Sequence, residues 1–145
     1  AMFHTGGNLG KRLFLKVGEM MVSGDAVPKV KDTVPLSEAI MQMTSKRLGA
    51  TCVVDGGEKL VGIITDGDLR RLLQKTTNVA NLTAAQAMNR NPKTIRPDIL
   101  AAAALEEMEN FNITQLVVVD GGHRPVGVVH LHDLVKAGLG GESTG

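Results

Sequence analysis

The residues from Val30 to Leu69 align with those from Ile95 to Leu134 at a constant offset of 65, without a gap. No other feature restricts the fold as much, because a repeat of this length in register demands two copies of one supersecondary unit. Ala39 meets Ala104, Met43 meets Met108, and Val53-Val54-Asp55-Gly56-Gly57 meets Val118-Val119-Asp120-Gly121-Gly122. Val61-Gly62 then meets Val126-Gly127, and Asp68-Leu69 meets Asp133-Leu134. Turns and polar residues stay in step as well as apolar ones, which a chance helical period does not produce. Each copy follows a short lead-in ending in Met21 or Met88, and the first copy carries two extra residues there.

Each copy reads as strand, helix, strand, strand, helix. Leu36, Ala39, Ile40 and Met43 recur at helical spacing behind Pro35, a residue suited to an opening helical turn. Thr51 to Val54 predicts a strand stopped by Asp55-Gly56-Gly57, Leu60 to Ile64 a second strand, and Asp66 to Gln74 a helix. The second copy predicts a helix over Ile99 to Phe111, strands over Leu116 to Val119 and Val126 to Val129, and a helix over Leu131 to Ala137. The strand runs are apolar without alternation, so cover on both faces is expected. One copy is too small to cover its own sheet. The expected class is therefore α/β (α+β): two βαββα units packed about a pseudo-twofold axis. Residues 1–16 form a leading linker, 17–75 the first unit, 76–83 a polar linker, 84–137 the second unit and 138–145 a tail expected to be disordered.

Composition narrows the function classes. The 145 residues are 43% hydrophobic and 21% charged, which suits one ordinary hydrophobic core. The net charge is +1 with Lys and Arg dispersed, which argues against coating nucleic acid or an anionic membrane. Tyr and Trp are absent and Phe occurs only at Phe3, Phe14 and Phe111, too few for base-stacking platforms. The single cysteine, Cys52, lies in an apolar run and reads as a core residue; its lack of a partner fits a reducing cytoplasm. No apolar run approaches the roughly 20 residues of a membrane span, and no signal peptide is evident. No Gly-x-Gly-x-x-Gly or Walker pattern occurs, so no cofactor is expected, and no Ser–His–Asp set can be argued.

The Val-Val-Asp strand end, the glycine turn, the hydrophobic-Gly-hydrophobic-hydrophobic strand and the helix opening on Asp-Leu together resemble the CBS motif. The first copy, Thr51 to Leu69, holds a full Thr65-x-x-Asp68 signature; the second, Leu116 to Leu134, keeps Asp133 but has His130 in place of the threonine. The resemblance spans about residues 17 to 137. Three further stretches, His4 to Leu13, Thr65 to Arg71 and His130 to Leu134, resemble the C-terminal part of arabinose-5-phosphate isomerases of the KpsF/GutQ type. The usual His-Pro-Gly-Gly opening of those enzymes has Thr5 here instead of Pro. They join an N-terminal sugar-isomerase (SIS) domain to a CBS pair, so the resemblance implies that residues 1–16 lead from such a domain. It further implies that His4 serves catalysis in the intact enzyme, which interconverts D-arabinose 5-phosphate and D-ribulose 5-phosphate. This chain by itself is expected to have no isomerase activity.

Thr65-x-x-Asp68 sits where a strand ends and a helix begins. Unpaired amides and the helix dipole favour phosphate at such a place, and Thr65 adds a hydroxyl. Asp68 can accept two hydrogen bonds from a ribose diol. In CBS pairs that division, Thr to phosphate and Asp to ribose, is what the resemblance implies. The same spacing is also a helix capping box, and the two readings are compatible. In the second copy a phosphate contact needs the imidazole of His130, whose charge depends on pH. His130, His132 and Asp133 lack the further ligands of a metal site, so no metal is expected. The two clefts should be unequal, the Thr65/Asp68 cleft being the better nucleotide site. Thr33, two residues ahead of the first helix and matched by Asp98, is an N-cap type and a secondary candidate bordering the cleft. Thr83-Ala84-Ala85-Gln86 predicts a second capping box. Arg70 and Arg71 read as a solvated helix face from which either can reach a phosphate.

Two function classes follow. One is a regulatory module of a sugar-phosphate isomerase, binding an AMP-like nucleotide or a nucleotide sugar such as CMP-Kdo, a downstream product on the way to lipopolysaccharide. The other is a structural pair that only holds catalytic domains together as a homodimer or higher assembly. Leu72, Leu73 and Ala137 are the candidate self-association contacts. A transporter or dehydrogenase origin is disfavoured by the His4 to Leu13 stretch.

Overall fold

The computed structural model describes residues 13–139; His4, most of the leading linker and the tail beyond residue 139 lie outside the described residues. The elements in chain order are α1 (Val17–Met20), β1 (Val22–Ser23), β2 (Lys29–Lys31), α2 (Leu36–Lys46), β3 (Ala50–Val54), β4 (Leu60–Thr65), α3 (Asp66–Lys75), α4 (Ala84–Ala87), β5 (Asn89–Arg90), β6 (Thr94–Ile95), α5 (Ala101–Phe111), β7 (Gln115–Val119), β8 (Pro125–His130) and α6 (Leu131–Lys136). The strands form two four-stranded sheets, ordered β2-β3-β4-β5 and β1-β8-β7-β6. In each, the first strand of a repeat runs parallel to the second and the second antiparallel to the third, with Lys29 opposite Cys52, Cys52 opposite Ile63 and Ile63 opposite Asn89. All residues of β3 and nearly all of β7 are buried, as expected for strands covered on both faces.

The outer strand of each sheet comes from the other repeat's lead-in. β5 follows the second lead-in and pairs with β4, while β1 follows the first and pairs with β8. The backbone ties repeat this exchange. Leu36 N–H donates to the Leu82 carbonyl at 2.9 Å, Ala84 N–H to Val34 at 2.8 Å and Ala85 N–H to Asp32 at 3.0 Å. Their counterparts are Ala101 to Leu15 at 2.8 Å, Val17 to Ile99 at 2.8 Å and Gly18 to Pro97 at 2.9 Å. The units as written in sequence thus differ from the units as packed.

These ties also decide how the helices start. The expected caps Thr33 and Asp98 do not cap: Pro35 and Leu100 occupy the N-cap positions, with no side-chain cap, and α5 begins at Ala101 rather than Ile99. Pro35 and Leu100 have no side-chain acceptor to offer, and the first amide of each helix is taken instead by a lead-in carbonyl. The stretch read as a polar linker is partly packed. Val79–Asn81 form a 3-10 turn, and Val79 and Leu82 rest on the first core.

Three apolar clusters hold the layers. Leu36, Ala39, Met43, Val53, Ile64 and Ala84 fill the space between the first sheet and its helices. Val17, Ala104, Met108, Leu116, Val129 and Leu134 do the same for the second. Cys52, Leu60, Val117, Val119 and Val128 join the two sheets face to face. In the β3–β4 turn Asp55 Oδ1 accepts from Gly57 N–H at 2.9 Å and Lys59 N–H at 3.0 Å, and Asp120 does likewise from Gly122 and Arg124. Each aspartate thereby builds an Asx turn, the physical reason for the paired Asp-Gly-Gly. The Lys59 amide, ahead of the smaller opposing effect of desolvation, holds the Asp55 carboxyl below its ordinary value, and the Arg124 amide does the same for Asp120.

Candidate functional site

β4 delivers Thr65 in extended backbone, and α3 starts at the next residue. Thr65 Oγ1 accepts from Asp68 N–H at 3.1 Å, while Asp68 Oδ2 accepts from Thr65 N–H at 2.9 Å, a complete capping box. Asp66 N–H is taken by the Gly49 carbonyl at 2.9 Å. Oδ1 of Asp68 accepts from Arg71 Nη2 and from Asn89 Nδ2, each at 2.7 Å. Asn89 lies on β5, so the carboxylate of one repeat is held by the lead-in strand of the other. Burial pushes the Asp68 carboxyl up, but hydrogen bonds from Thr65, Arg71 and Asn89 together outweigh it and hold it below the usual carboxylate range.

This carboxylate lines a cleft of about 670 Å³. One wall is the start of α3, another the segment 89–93, and a third the turn 112–115 ahead of β7. Arg70, Arg71, Arg90 and Lys93 line it against only Asp66 and Asp68, so the cleft is basic on a nearly neutral chain. Lys93 Nζ is placed over the Phe111 ring at 4.0 Å from its centroid. Thr65 and Asp68, both singled out from sequence, come together here. Asn89, Arg90 and Lys93 did not emerge from the sequence, although their place directly after the Met88 lead-in was a signal.

The second copy is built differently. His130 Nδ1 accepts from His132 N–H at 3.1 Å, so the imidazole itself caps α6. Neither His130 nor Asp133 lines the 670 Å³ cleft or a smaller cavity of about 280 Å³ between α2 and α3. Thr33 is exposed and lines neither of the two. Among the described residues, no group of three or more His, Cys, Asp or Glu side chains gathers as a metal site. No helix of the described chain is long and apolar enough to cross a membrane.

Two copies of a strand–helix–strand–strand–helix unit, back to back, with a basic cleft at one strand-to-helix junction, define a paired-repeat α/β module. The CBS domain model matches residues 17–75 and 84–140, and the chain belongs to the CBS domain family. It is 49% identical over 139 residues to the arabinose 5-phosphate isomerase KdsD of Pseudomonas aeruginosa and 42% identical to that of Escherichia coli K12. The match covers 96% of this chain but 43% and 42% of those proteins, so the chain spans less than half the length of these curated relatives. The CBS domain pair of protein MJ0100, in complex with 5′-methylthioadenosine and S-adenosyl-L-methionine, has a TM-score of 0.76 and 26% identity, over 89% of this chain and 98% of that one. A CBS domain protein from Pyrobaculum aerophilum shares the fold, with a TM-score of 0.74 and 20% identity over 82% of this chain and 89% of that one.

Proposed function

We propose that the chain is a regulatory module whose Thr65/Asp68 cleft binds a nucleotide or nucleotide sugar. The observation that carries this is the pairing, in one cleft, of a nearly buried carboxylate with four basic side chains. A ribose diol suits Asp68, and a phosphate suits the Thr65 hydroxyl and the basic wall, the amides of Thr65, Asp66 and Asp68 being already bonded within the protein. The adenosine-type ligands named for the MJ0100 pair support a nucleoside in the corresponding module. The kinship with KdsD supports a setting in an arabinose 5-phosphate isomerase, in which CMP-Kdo joins AMP as a candidate and His4 belongs to the catalytic part. His130 and Asp133 form the weaker second site in this reading, and Thr33 a border residue.

Calorimetric titration with AMP, CMP and CMP-Kdo tests the proposal. Saturable binding by any of them, abolished or weakened in Thr65→Ala and Asp68→Ala, is the expected result. Silence from all three, with a folded protein, leaves the purely structural pair as the function. Self-association is part of the proposal: of the three candidate contacts, Leu72 packs on the first core and Ala137 is half-buried, whereas Leu73 is 56% exposed on α3.

A further inference from the structure

Oδ1 of Asp68 is already occupied. It accepts two hydrogen bonds, from Arg71 Nη2 and Asn89 Nδ2, which fills both of its lone pairs, while Oδ2 accepts from Thr65 N–H. A diol gripped by this carboxylate offers two O–H donors, so one donor on Oδ1 has to give way. The two candidates are unequal. Asn89 is fixed by β5, in register with Ile63 of β4. Arg71 is a long side chain, 66% exposed, reaching back one turn along its own helix. Its guanidinium is open to solvent and can exchange the Asp68 contact for water, whereas the Asn89 amide is held in place by strand pairing. Its guanidinium also lies over the first turn of α3: a Cβ added to Gly67 would sit 3.4 Å from Arg71 Nη1 and 3.7 Å from Thr65 Oγ1. The guanidinium and the Thr65 hydroxyl thus border the same small space beside the first turn of α3.

We propose, on the nucleotide reading of the cleft, that Arg71 is its specificity-determining residue, selecting phosphorylated ligands over their nucleosides by exchange. The ribose hydroxyls replace the guanidinium on Asp68, and the phosphate receives the guanidinium so released. A nucleoside pays for the displacement without repaying it, since a hydroxyl pair frees Arg71 but supplies no anion. A nucleotide supplies both halves of the exchange, and Arg71 passes from one carboxylate-like partner to another. Asn89 stays on Asp68 throughout and positions the carboxylate for either ligand.

Titrations of AMP against adenosine, and of CMP against cytidine, test this in the wild type, Arg71→Ala, Arg71→Lys and Asn89→Ala. In the wild type the nucleotide of the better pair should bind about tenfold or more tightly than its nucleoside, the worth of one charge-assisted contact. In Arg71→Ala the nucleotide should weaken while the nucleoside binds as well as before or more tightly, so that the ratio collapses. Arg71→Lys should keep part of the ratio, having charge without the planar fork. Asn89→Ala frees a lone pair on Oδ1, so a nucleoside should no longer have to displace Arg71 and should gain on its nucleotide, narrowing the ratio. A ratio unchanged in Arg71→Ala but collapsed in Arg70→Ala would move the phosphate contact to Arg70 and overturn the assignment. Equal losses of nucleotide and nucleoside in Arg71→Ala would reduce Arg71 to a support for Asp68 and also overturn it. If neither pair nor CMP-Kdo binds the wild type, the nucleotide reading itself fails, and the exchange with it.

Discussion

A Cβ placed on Gly62 would lie 2.9 Å from the carbonyl oxygen of Asn89 and would collide with the Met88 side chain. The same holds on the other sheet, where a Cβ on Gly127 would lie 2.8 Å from the Val22 carbonyl and collide with Met21. Both glycines are thus small because the exchanged lead-in strand passes directly over them. Gly62→Ala and Gly127→Ala should each destabilise the fold by about 1–3 kcal/mol, the range for forcing atoms into a packed core. Gly56, whose added Cβ would meet nothing within 4 Å, is the control, and Gly56→Ala should stay within about 0.5 kcal/mol. Urea denaturation of the three variants measures all of this.

Asp68→Ala should cost about ten- to hundredfold in affinity for whichever of AMP, CMP or CMP-Kdo binds, through lost charge-assisted hydrogen bonds. It should also lower stability by about 1 kcal/mol, because the capping box opens. Asp133→Ala should cost less binding, since Asp133 does not line the large cleft. Unchanged affinity in Asp68→Ala, measured by calorimetry beside melting curves, would remove the site assignment.

The depressed carboxyl of Asp68 predicts an acid limb in stability. Its folded pKa lies below the ordinary value of 3.8, so near and below that pH the unfolded chain takes up the proton first. The contribution is complete above pH 3.8 and is lost as pH falls through the folded value. Asp68→Asn should therefore show a shallower loss of stability than the wild type on acidification from about pH 5 to pH 2. Parallel curves for the two proteins would assign the acid limb to other carboxylates.

Burial between the two sheets pushes the Cys52 thiol up to about 12, against a smaller opposing effect of Lys29. The native protein should therefore resist thiol reagents at mildly alkaline pH and react fully only when unfolded. The sign for stability is opposite to that of Asp68: the unfolded thiol ionises from about pH 9, the folded one does not, and stability falls between pH 9.0 and about 12. Cys52→Ala should flatten that alkaline limb while costing stability at neutral pH through the lost packing. Rapid labelling of the native thiol would contradict the buried site.

If the pair self-associates through α3, multi-angle light scattering should give at least a dimer mass, and Leu73→Asp should return the monomer. A monomer at high concentration in the wild type would end this part of the proposal.

The fold was legible because the repeat carries it. The register of Val53-Val54-Asp55 with Val118-Val119-Asp120 located both hairpins, and the Thr65 and Thr83 capping boxes stand where the sequence put them. What the sequence hid is non-local. Nothing in the string says that Asn89 faces Asp68, 21 residues back, because that contact needs the lead-in to cross to the other repeat's sheet. Thr33 and Asp98 look like caps because the sequence does not say that the helices start two residues later, behind Pro35 and Leu100, with their first amides on lead-in carbonyls. The other half of the basic wall was missed for the same reason: Arg90 and Lys93 lie well beyond Arg70 and Arg71 in the chain and meet them only after folding.

The crossed lead-ins have a consequence for how the molecule comes apart. A protease cut at the exposed Thr77-Asn78 bond severs the chain between the two sequence repeats. Yet residues up to 77 still donate β1 to the sheet of the later half, and the later half still donates β5 to the sheet of the earlier one. Neither fragment can leave without stripping an edge strand and a helix-start amide partner from both sheets at once. Nicked protein should elute as one particle in native solution and split only under denaturant, and either half expressed by itself should fold only when the other is supplied.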